Sequence, residues 1–311
     1  MMSKNKNNCT LITIVGPTAI GKTALSIQLA NYFNADIISC DSRQFYKEMT
    51  IGTAVPETEE LAAANHHFIQ NRSVFEDYNV GSFERDALQK LAKLFQENPV
   101  QIMVGGSGLY VDAVLKGLDY FPEVAPKIRE ALTIQLKEKG IETLQNQLKE
   151  LDLETYNTIA LDNPHRIMRA LEVCIGSNTP YSTFKNKPKA SRNFTSIKIG
   201  LTADREIIYD RINQRVDRMM KDGLLEEAKK LYAHKDLNAL QTVGYRELFS
   251  YFDGDFTKEF SISEIKKNTR RFAKRQGTWF RKDEKTLWFD YQFDVDKITS
   301  IISNKINSFK R

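Results

Sequence analysis

Residues 16–23 read Gly16-Pro17-Thr18-Ala19-Ile20-Gly21-Lys22-Thr23, the pattern G-x-x-x-x-G-K-[ST]. Such a run can cradle phosphate. Glycines let backbone N–H groups close around phosphate oxygens, and a following helix turns its positive end toward them. Lys22 adds a charge, and the Thr23 hydroxyl can hold Mg²⁺. A plain Gly-rich turn would not need Lys-Thr at its end. The acid that an early strand-like run delivers is Asp41, in Ser39-Cys40-Asp41-Ser42. Ligands of open α/β sheets sit at the carboxyl ends of strands. Asp41 is therefore a candidate general base toward an acceptor, beside the alternative of an Asp that caps its own loop. A nucleoside triphosphatase normally brings a further aspartate to Mg²⁺ from another buried strand. Here that strand ends Val104-Gly105-Gly106-Ser107, with no carboxylate. Arg211 and Arg215 are spaced i, i+4 and share a helix face. Spacing alone leaves a phosphate clamp open, but favours pairing with Asp210, Asp217 or solvent.

The elements that must carry these residues follow from hydropathy. Five β-like runs stand out: Leu11–Val15, Ala35–Ser39, Val100–Val104, Ile197–Thr202 and Thr286–Asp290. Most are near-continuous apolar runs, as in strands buried on both faces. Helical stretches separate them. Thr23–Phe33 carries Leu25, Leu29 and Phe33 at i, i+4 and i+8. Ser82–Phe95 begins at a serine that can cap it. The alternation predicts an α/β fold with a parallel sheet. Between the third and fourth runs no strand is evident. Lys127–Gly140, Ile141–Asp152 and Pro164–Gly176 read as helices, the last with Asp162/Asn163 to cap it. This predicts an all-helical insertion over 119–195 within a core of 1–118 and 196–311, with Asn186–Arg192 as the exposed return linker. Arg205–Lys221, Leu224–Ala233 and Ser263–Arg275 read as further helices.

The 311 residues are 41% hydrophobic and 27% charged, which excludes disorder as the default. No apolar run approaches the ~20 residues of a membrane span, and the polar start Met1–Asn8 is no signal peptide. These features lead us to expect a cytoplasmic protein with no membrane contact. Cys9, Cys40 and Cys174 form no C-x-x-C pair, which argues against a disulfide framework or structural zinc. The net charge is +5, yet residues 266–282 alone hold eight Lys/Arg and no acid. The remainder is net acidic, so one segment points to a polyanion partner, with a solvated helix face as the alternative. On that segment Lys267, Arg271 and Lys274 can share an outward face. Phe272 and Trp279, seven apart, read as the stripe that anchors the helix to the core.

Several segments occur together in one order: Gly16-Pro-Thr-Ala-x-Gly-Lys-Thr23, Asp41-Ser-Arg-Gln-Phe-Tyr46, Ile51-Gly-Thr-Ala54, Gly105-Gly-Ser-Gly-Leu-Tyr110, Arg166-x-x-Arg-Ala-Leu-Glu-Val173, Val243-Gly-Tyr245 and Lys274-Arg-Gln-x-Thr-Trp-Phe-Arg281. The combination, spread over about 11–290, resembles the tRNA dimethylallyltransferases (tRNA isopentenyltransferases). The resemblance implies a P-loop NTPase-like (kinase-like) α/β core whose helical insertion grips a tRNA anticodon stem-loop. It implies transfer of a dimethylallyl group from dimethylallyl diphosphate to N6 of adenine 37, with Mg²⁺, by a monomer. Gly16, Pro17, Thr18, Ala19, Ile20, Gly21, Lys22, Thr23 and Arg215 would then hold the donor. Asp41 would serve as base, with Thr23 and Arg215 completing the catalytic set. The tRNA contacts it implies are Asp41, Ser42, Arg43, Gln44, Ser107, Arg129, His165, Arg166, Ile167, Met168, Arg169, Gln241, Thr242, Val243, Gly244, Tyr245, Arg246, Lys274, Arg275, Gln276, Gly277, Thr278, Trp279, Phe280 and Arg281. A donor already carrying diphosphate accounts for the missing second carboxylate. The chain departs from the family pattern at Val55 (often Lys), Gln70 (often Asp) and His165 (often Gln). Prenylation of free adenine nucleotides is the alternative reading, and a P-loop small-molecule kinase a weaker one. The helical insertion and the basic segment favour a macromolecular acceptor.

Overall fold

The computed structural model describes residues 9–187 and 191–309, so Pro188, Lys189 and Ala190 of the expected linker lie outside the described residues. The chain divides into two compact units, one of residues 1–116 with 192–311 and one of 117–191. Sequence alone drew the insertion at 119–195.

The larger unit is built on six parallel strands, β1 (Thr10–Val15), β2 (Ile37–Ser39), β3 (His66–His67), β4 (Val100–Val104), β5 (Thr195–Thr202) and β6 (Leu287–Asp290), in the order β3-β2-β4-β1-β5-β6. The sequence signalled all but β3, whose two half-buried histidines are too short a run to read. β1 is buried along its whole length. Leu11 and Val15 face one core, with Phe45, Phe83, Met103 and Phe280. Ile12 and Ile14 face the other, with Leu25, Ile102, Ile199 and Ile302. Both faces being covered is why the strands lack polar alternation. β1 lies between β4 and β5, so its carboxyl end opens at the point where the connections diverge to opposite sides.

Before the insertion come α1 (Lys22–Phe33), α2 (Thr58–Ala62), α3 (Val80–Glu97) and α4 (Gly108–Lys116). The cap of α3 is Asn79 rather than Ser82. Its side chain accepts from the N–H groups of Gly81 and Ser82, which puts the serine inside the first turn. The smaller unit holds α5 (Pro126–Lys139), α6 (Ile141–Leu151), α7 (Leu153–Thr158) and α8 (Pro164–Ser177) around Leu132, Leu144, Leu148, Ile167, Met168 and Leu171. Asn163 caps α8, with Pro164 in its first turn. The chain then adds α9 (Arg205–Lys221), α10 (Leu224–Leu231), α11 (Tyr245–Phe252), α12 (Lys258–Phe280) and α13 (Val295–Phe309) to the larger unit.

The core face of α12 departs from expectation. It consists of Ser261, Ile265, Ala273, Gln276 and Phe280, while Phe272 and Trp279 are each 38% exposed. The two aromatics therefore do not anchor the helix. Polar Ser261 and Gln276 can occupy the packed side because both are bonded across the fold. The Ser261 hydroxyl donates to the Glu247 carbonyl at 2.9 Å, and Gln276 reaches residues described below.

Candidate active site

The phosphate-binding pattern forms the turn from β1 into α1. Gly16 has φ +144°, and a Cβ there would stand 2.6 Å from the Leu201 carbonyl oxygen, so only glycine fits. Ala19 (φ +64°) and Gly21 (φ +106°) also take left-handed angles, which curl the loop back over its own amides. α1 starts without a side-chain cap and without an acid in its first turn. Its first N–H groups are thus available to an anion. Lys22 donates to the carbonyls of Gly16 (3.1 Å) and Pro17 (2.8 Å). Burial pulls its pKa down to about 8, with Asp41 opposing and Arg215 adding to the fall. Thr23 stands half-buried one residue on.

α9 brings both arginines to this loop. The Arg215 guanidinium lies 3.4 Å from the Thr18 hydroxyl, and Arg211 donates to the Ala19 carbonyl at 2.7 Å while covering the Tyr291 ring. Neither pairs with Asp210 or Asp217. Those acids are engaged by Gln214 and Lys266. Burial, then neighbouring Arg211, lowers the Arg215 pKa. Among the described residues neither arginine is ion-paired, with Glu60 and Asp41 acting on Arg215 only from nearby, and two cations so held form a site for an anion.

Asp41 follows β2 and turns one carboxylate oxygen to the Arg43 N–H at 3.1 Å. The turn is tied to the end of β4 by Ser107. Its hydroxyl accepts from the Ser42 N–H and donates to the Ser42 hydroxyl, both at 3.1 Å. Gln44 spends its amide on the carbonyls of Thr53 (3.3 Å) and Ala54 (2.8 Å), and Arg43 spends part of its guanidinium on Asn238 and Ala239. Gln276 joins this side to the cradle. It accepts from the Thr18 N–H at 2.8 Å and donates to the Gly106 carbonyl at 3.0 Å. A Cβ on Gly106 would meet that amide at 2.1 Å. Sequence reasoning placed Gln276 among RNA contacts. It is 5% exposed and bonded inward.

A cavity of about 550 Å³ unites these parts. Thr18 and Arg215 line it from the cradle, and Asp41, Ser42, Arg43 and Ser107 from the opposite strand ends. Gln241, Thr242, Val243, Gly244 and Arg246 form one further wall, and Phe272, Arg275, Gln276 and Trp279 another. The Trp279 indole donates to Asp112 at 3.0 Å, and its ring packs where Gly108 leaves room. That wall is the use of the two aromatics that the core does not take.

Other expected contacts are distributed differently. Tyr245 and Phe280 are buried in the larger unit, and Ile167 and Met168 in the smaller, so their side chains hold the fold rather than face a ligand. Lys274, Thr278 and Arg281 are exposed, with Gly277 half-exposed beside them. In the smaller unit His165 and Arg166 are exposed, and buried Glu172 holds Arg129 (2.6 Å) and Arg169 (3.2 Å). Gln70 takes φ +47° and donates to the Thr50 hydroxyl at 2.7 Å, while Val55 closes a turn onto the Thr50 carbonyl.

Among the described residues, no group of three or more His, Cys, Asp or Glu is arranged to hold a metal ion, and Cys40 and Cys174 are buried thiols outside any disulfide. A lone threonine hydroxyl at a phosphate cradle suits an ion that takes its other ligands from substrate oxygens and water, as Mg²⁺ does.

The family model described as IPP transferase matches residues 44–283. The chain is 64% identical to the tRNA dimethylallyltransferase of Flavobacterium psychrophilum over 302 residues, 95% of this chain and 98% of that one. It is 45% identical to tRNA dimethylallyltransferase 1 of Bacteroides fragilis, over 90% of this chain and 93% of that one. Among solved structures, the full-length tRNA isopentenylpyrophosphate transferase from Bacillus halodurans superposes with a TM-score of 0.73 at 35% identity, covering 97% of this chain and 98% of that chain. A eukaryotic dimethylallyltransferase acting on tRNA superposes at 0.82 with 25% identity, covering 96% and 80%.

Proposed function

The chain belongs to the IPP transferase family, the tRNA dimethylallyltransferases, and from that premise we propose how its cavity carries the reaction. The enzyme transfers a dimethylallyl group to tRNA. Dimethylallyl diphosphate is the donor and N6 of adenine 37, beside the anticodon, the acceptor. The observation that supports this most directly is a cavity that Thr18 and Arg215 line from the cradle side and Asp41 from the other.

The free N–H groups at the start of α1, with Lys22 and Arg215, bind and orient the diphosphate. As the allylic C1–O bond breaks, C1 gains cationic character and both electrons leave with the diphosphate. Lys22 and Arg215 stabilise that charge, Lys22 exchanging loop carbonyls for phosphate oxygens. Adenine N6 is a weak nucleophile because its lone pair is delocalised into the ring. Asp41 accepts the N6 proton as the N6–C1 bond forms, which restores electron density to nitrogen. Phe272 and Trp279 supply apolar surface beside the reacting allyl group and base. The adenine has to leave the anticodon stack to reach this depth. Thr23 would hold Mg²⁺ together with the diphosphate. An ion held there would supply positive charge opposite the departing diphosphate. The reading carries a cytoplasmic monomer, and no helix of the described residues is long and apolar enough to cross a membrane.

The test offers labelled dimethylallyl diphosphate and labelled ATP, in parallel, to unmodified tRNA, AMP and small alcohols. Prenyl label on tRNA alone is expected. Prenyl label on AMP supports the free-nucleotide alternative, and phosphate label on any acceptor supports a kinase.

A further inference from the structure

Glu227, on α10, has no role in the reaction described above, yet it is bonded to an unusual set of donors. One carboxylate oxygen accepts from the N–H groups of Thr50 (3.0 Å) and Ile51 (2.8 Å). The other accepts from the Gly52 N–H (2.9 Å) and the Tyr245 hydroxyl (2.6 Å). Three successive amides facing one anion form a nest, and here the anion belongs to the chain itself. Among the described residues no lysine or arginine pairs with Glu227, so the backbone and one phenol supply all the compensation. Tyr245 is fully buried. Burial, then the facing carboxylate, raises its pKa, which keeps it a donor. Gly52 packs against the hydroxyl end of Tyr245, where a Cβ would stand 2.6 Å from a ring carbon, so the loop has no slack on that side.

The bonds continue from this clamp into the active site. Thr53 and Ala54, next along the loop, receive both Gln44 amide bonds. The Gln44 N–H closes the turn on the Asp41 carbonyl at 3.2 Å. Gly52, Thr53 and Ala54 line the cavity with Asp41. α10 itself follows α9, which carries Arg215. We propose that Glu227 is a positioning residue that fixes the 50–54 loop, and through Gln44 the Asp41 turn, against the element that carries Arg215. It sets the distance between base and leaving group without touching either substrate. The inference rests on the proposed reading of the cavity as a prenyl-transfer site.

The expected consequence is a selective loss of turnover. Loss of a residue that orients a catalytic group costs roughly 10- to 100-fold, about what a ~1 Å misplacement can cost. Glu227→Gln and Glu227→Ala should lower kcat by that factor and leave the KM for dimethylallyl diphosphate within about two-fold, because the cradle does not depend on the loop. The alanine variant also leaves a gap the size of acetate, facing three amides and a phenol. Acetate should therefore restore much of its kcat, while chloride at equal ionic strength should not. Tyr245→Phe, which removes one donor of four, should lose only a few-fold. Circular dichroism and melting temperature establish folding of each variant. Full turnover in both glutamate variants overturns the proposal. So does a loss in Glu227→Gln that matches its unfolded fraction, or an alanine variant that folds and ignores acetate. If Glu227→Ala does not fold, the kcat and KM of Glu227→Gln decide. Failure of the wild-type protein to prenylate tRNA would instead strike the underlying reading and not the clamp.

Discussion

Asp41 and Lys22 lie close enough to feel each other's charge, yet their expected tasks are opposite: one takes a proton, the other must keep one. Asp41→Asn preserves shape, and its amide oxygen can still accept from the Arg43 N–H, so the turn should hold. Loss of a general base typically costs ~10²–10⁴ in rate. We expect single-turnover prenylation to fall by that range while tRNA affinity stays within a few-fold. A near-wild-type rate would falsify the base assignment. Lys22 gives a pH signature. With a pKa of about 8 before donor binds, it is charged below that value and loses its proton above it. Guanidinium groups keep their charge across this range, so the lysine alone supplies the inflection. Binding of a diphosphate ester to the free protein should therefore weaken as pH rises through about 8. Lys22→Met should bind less tightly and lose that inflection. Calorimetry across the pH series measures both. These roles were legible because residue type and local spacing carry them: a Gly-rich loop closing on Lys-Thr, an acid at a strand end. Arg215 was not legible from spacing, since i, i+4 arginines beside acids usually pair. Only the fold reveals that Gln214 and Lys266 take those acids.

Among the elements, the strands buried on both faces were readable from hydropathy, and α12 shows where hydropathy stops. Its apolar stripe suggested Phe272 and Trp279 as anchors, yet the packed face includes Ser261 and Gln276. What makes a polar packed face tolerable is a partner distant in sequence. Thr18 and Gly106 lie 258 and 170 residues from Gln276, and no local pattern records them. Gln276→Leu tests this account against the expectation that Gln276 touches RNA. It leaves the Thr18 N–H and the Gly106 carbonyl without their partner, at ~1–3 kcal/mol for each buried group, offset by the added apolar burial. We expect a net loss of ~2 kcal/mol in urea unfolding. Donor affinity should fall with it, because Thr18 belongs to the cradle, while tRNA affinity stays within about two-fold. Loss of tRNA affinity with intact stability would return Gln276 to the RNA surface.

For the whole molecule, the uneven charge is the property that bears on a polyanionic partner. The net charge is +5, and eight cations are concentrated in 266–282. The structure sorts those eight. Lys266 is held by Asp217 at 2.6 Å and Lys267 by Glu264, so two are already neutralised. Arg270 is bonded to Asn213 and covers Tyr209, and Arg271 is bonded to Asn268. Arg275 covers Phe272 in the cavity wall. Lys274, Arg281 and Lys282 are exposed and lack a carboxylate partner among the described residues. The spacing of Lys267 and Arg271 suggested them as phosphate contacts, but the Glu264 pair makes Lys267 a poor donor to RNA. Phosphate contacts fix affinity and register and release counterions on binding. Each therefore contributes about 0.7–0.9 to the log–log slope of affinity against salt. Lys267→Ala should leave that slope almost unchanged. Lys274→Ala with Arg281→Ala should flatten it by about 1.4–1.8 and weaken tRNA binding at physiological salt. The KM for dimethylallyl diphosphate should not move, because neither residue lines the cavity with Thr18 and Arg215. Filter binding of tRNA across a salt series, on variants with wild-type melting temperature, measures the slopes. An unchanged slope in the double variant would mean that these cations only solvate the helix. The electrostatic grip would then rest on the exposed arginines of the smaller unit, with Arg166 and the Glu172-held pair Arg129 and Arg169 as the next substitutions.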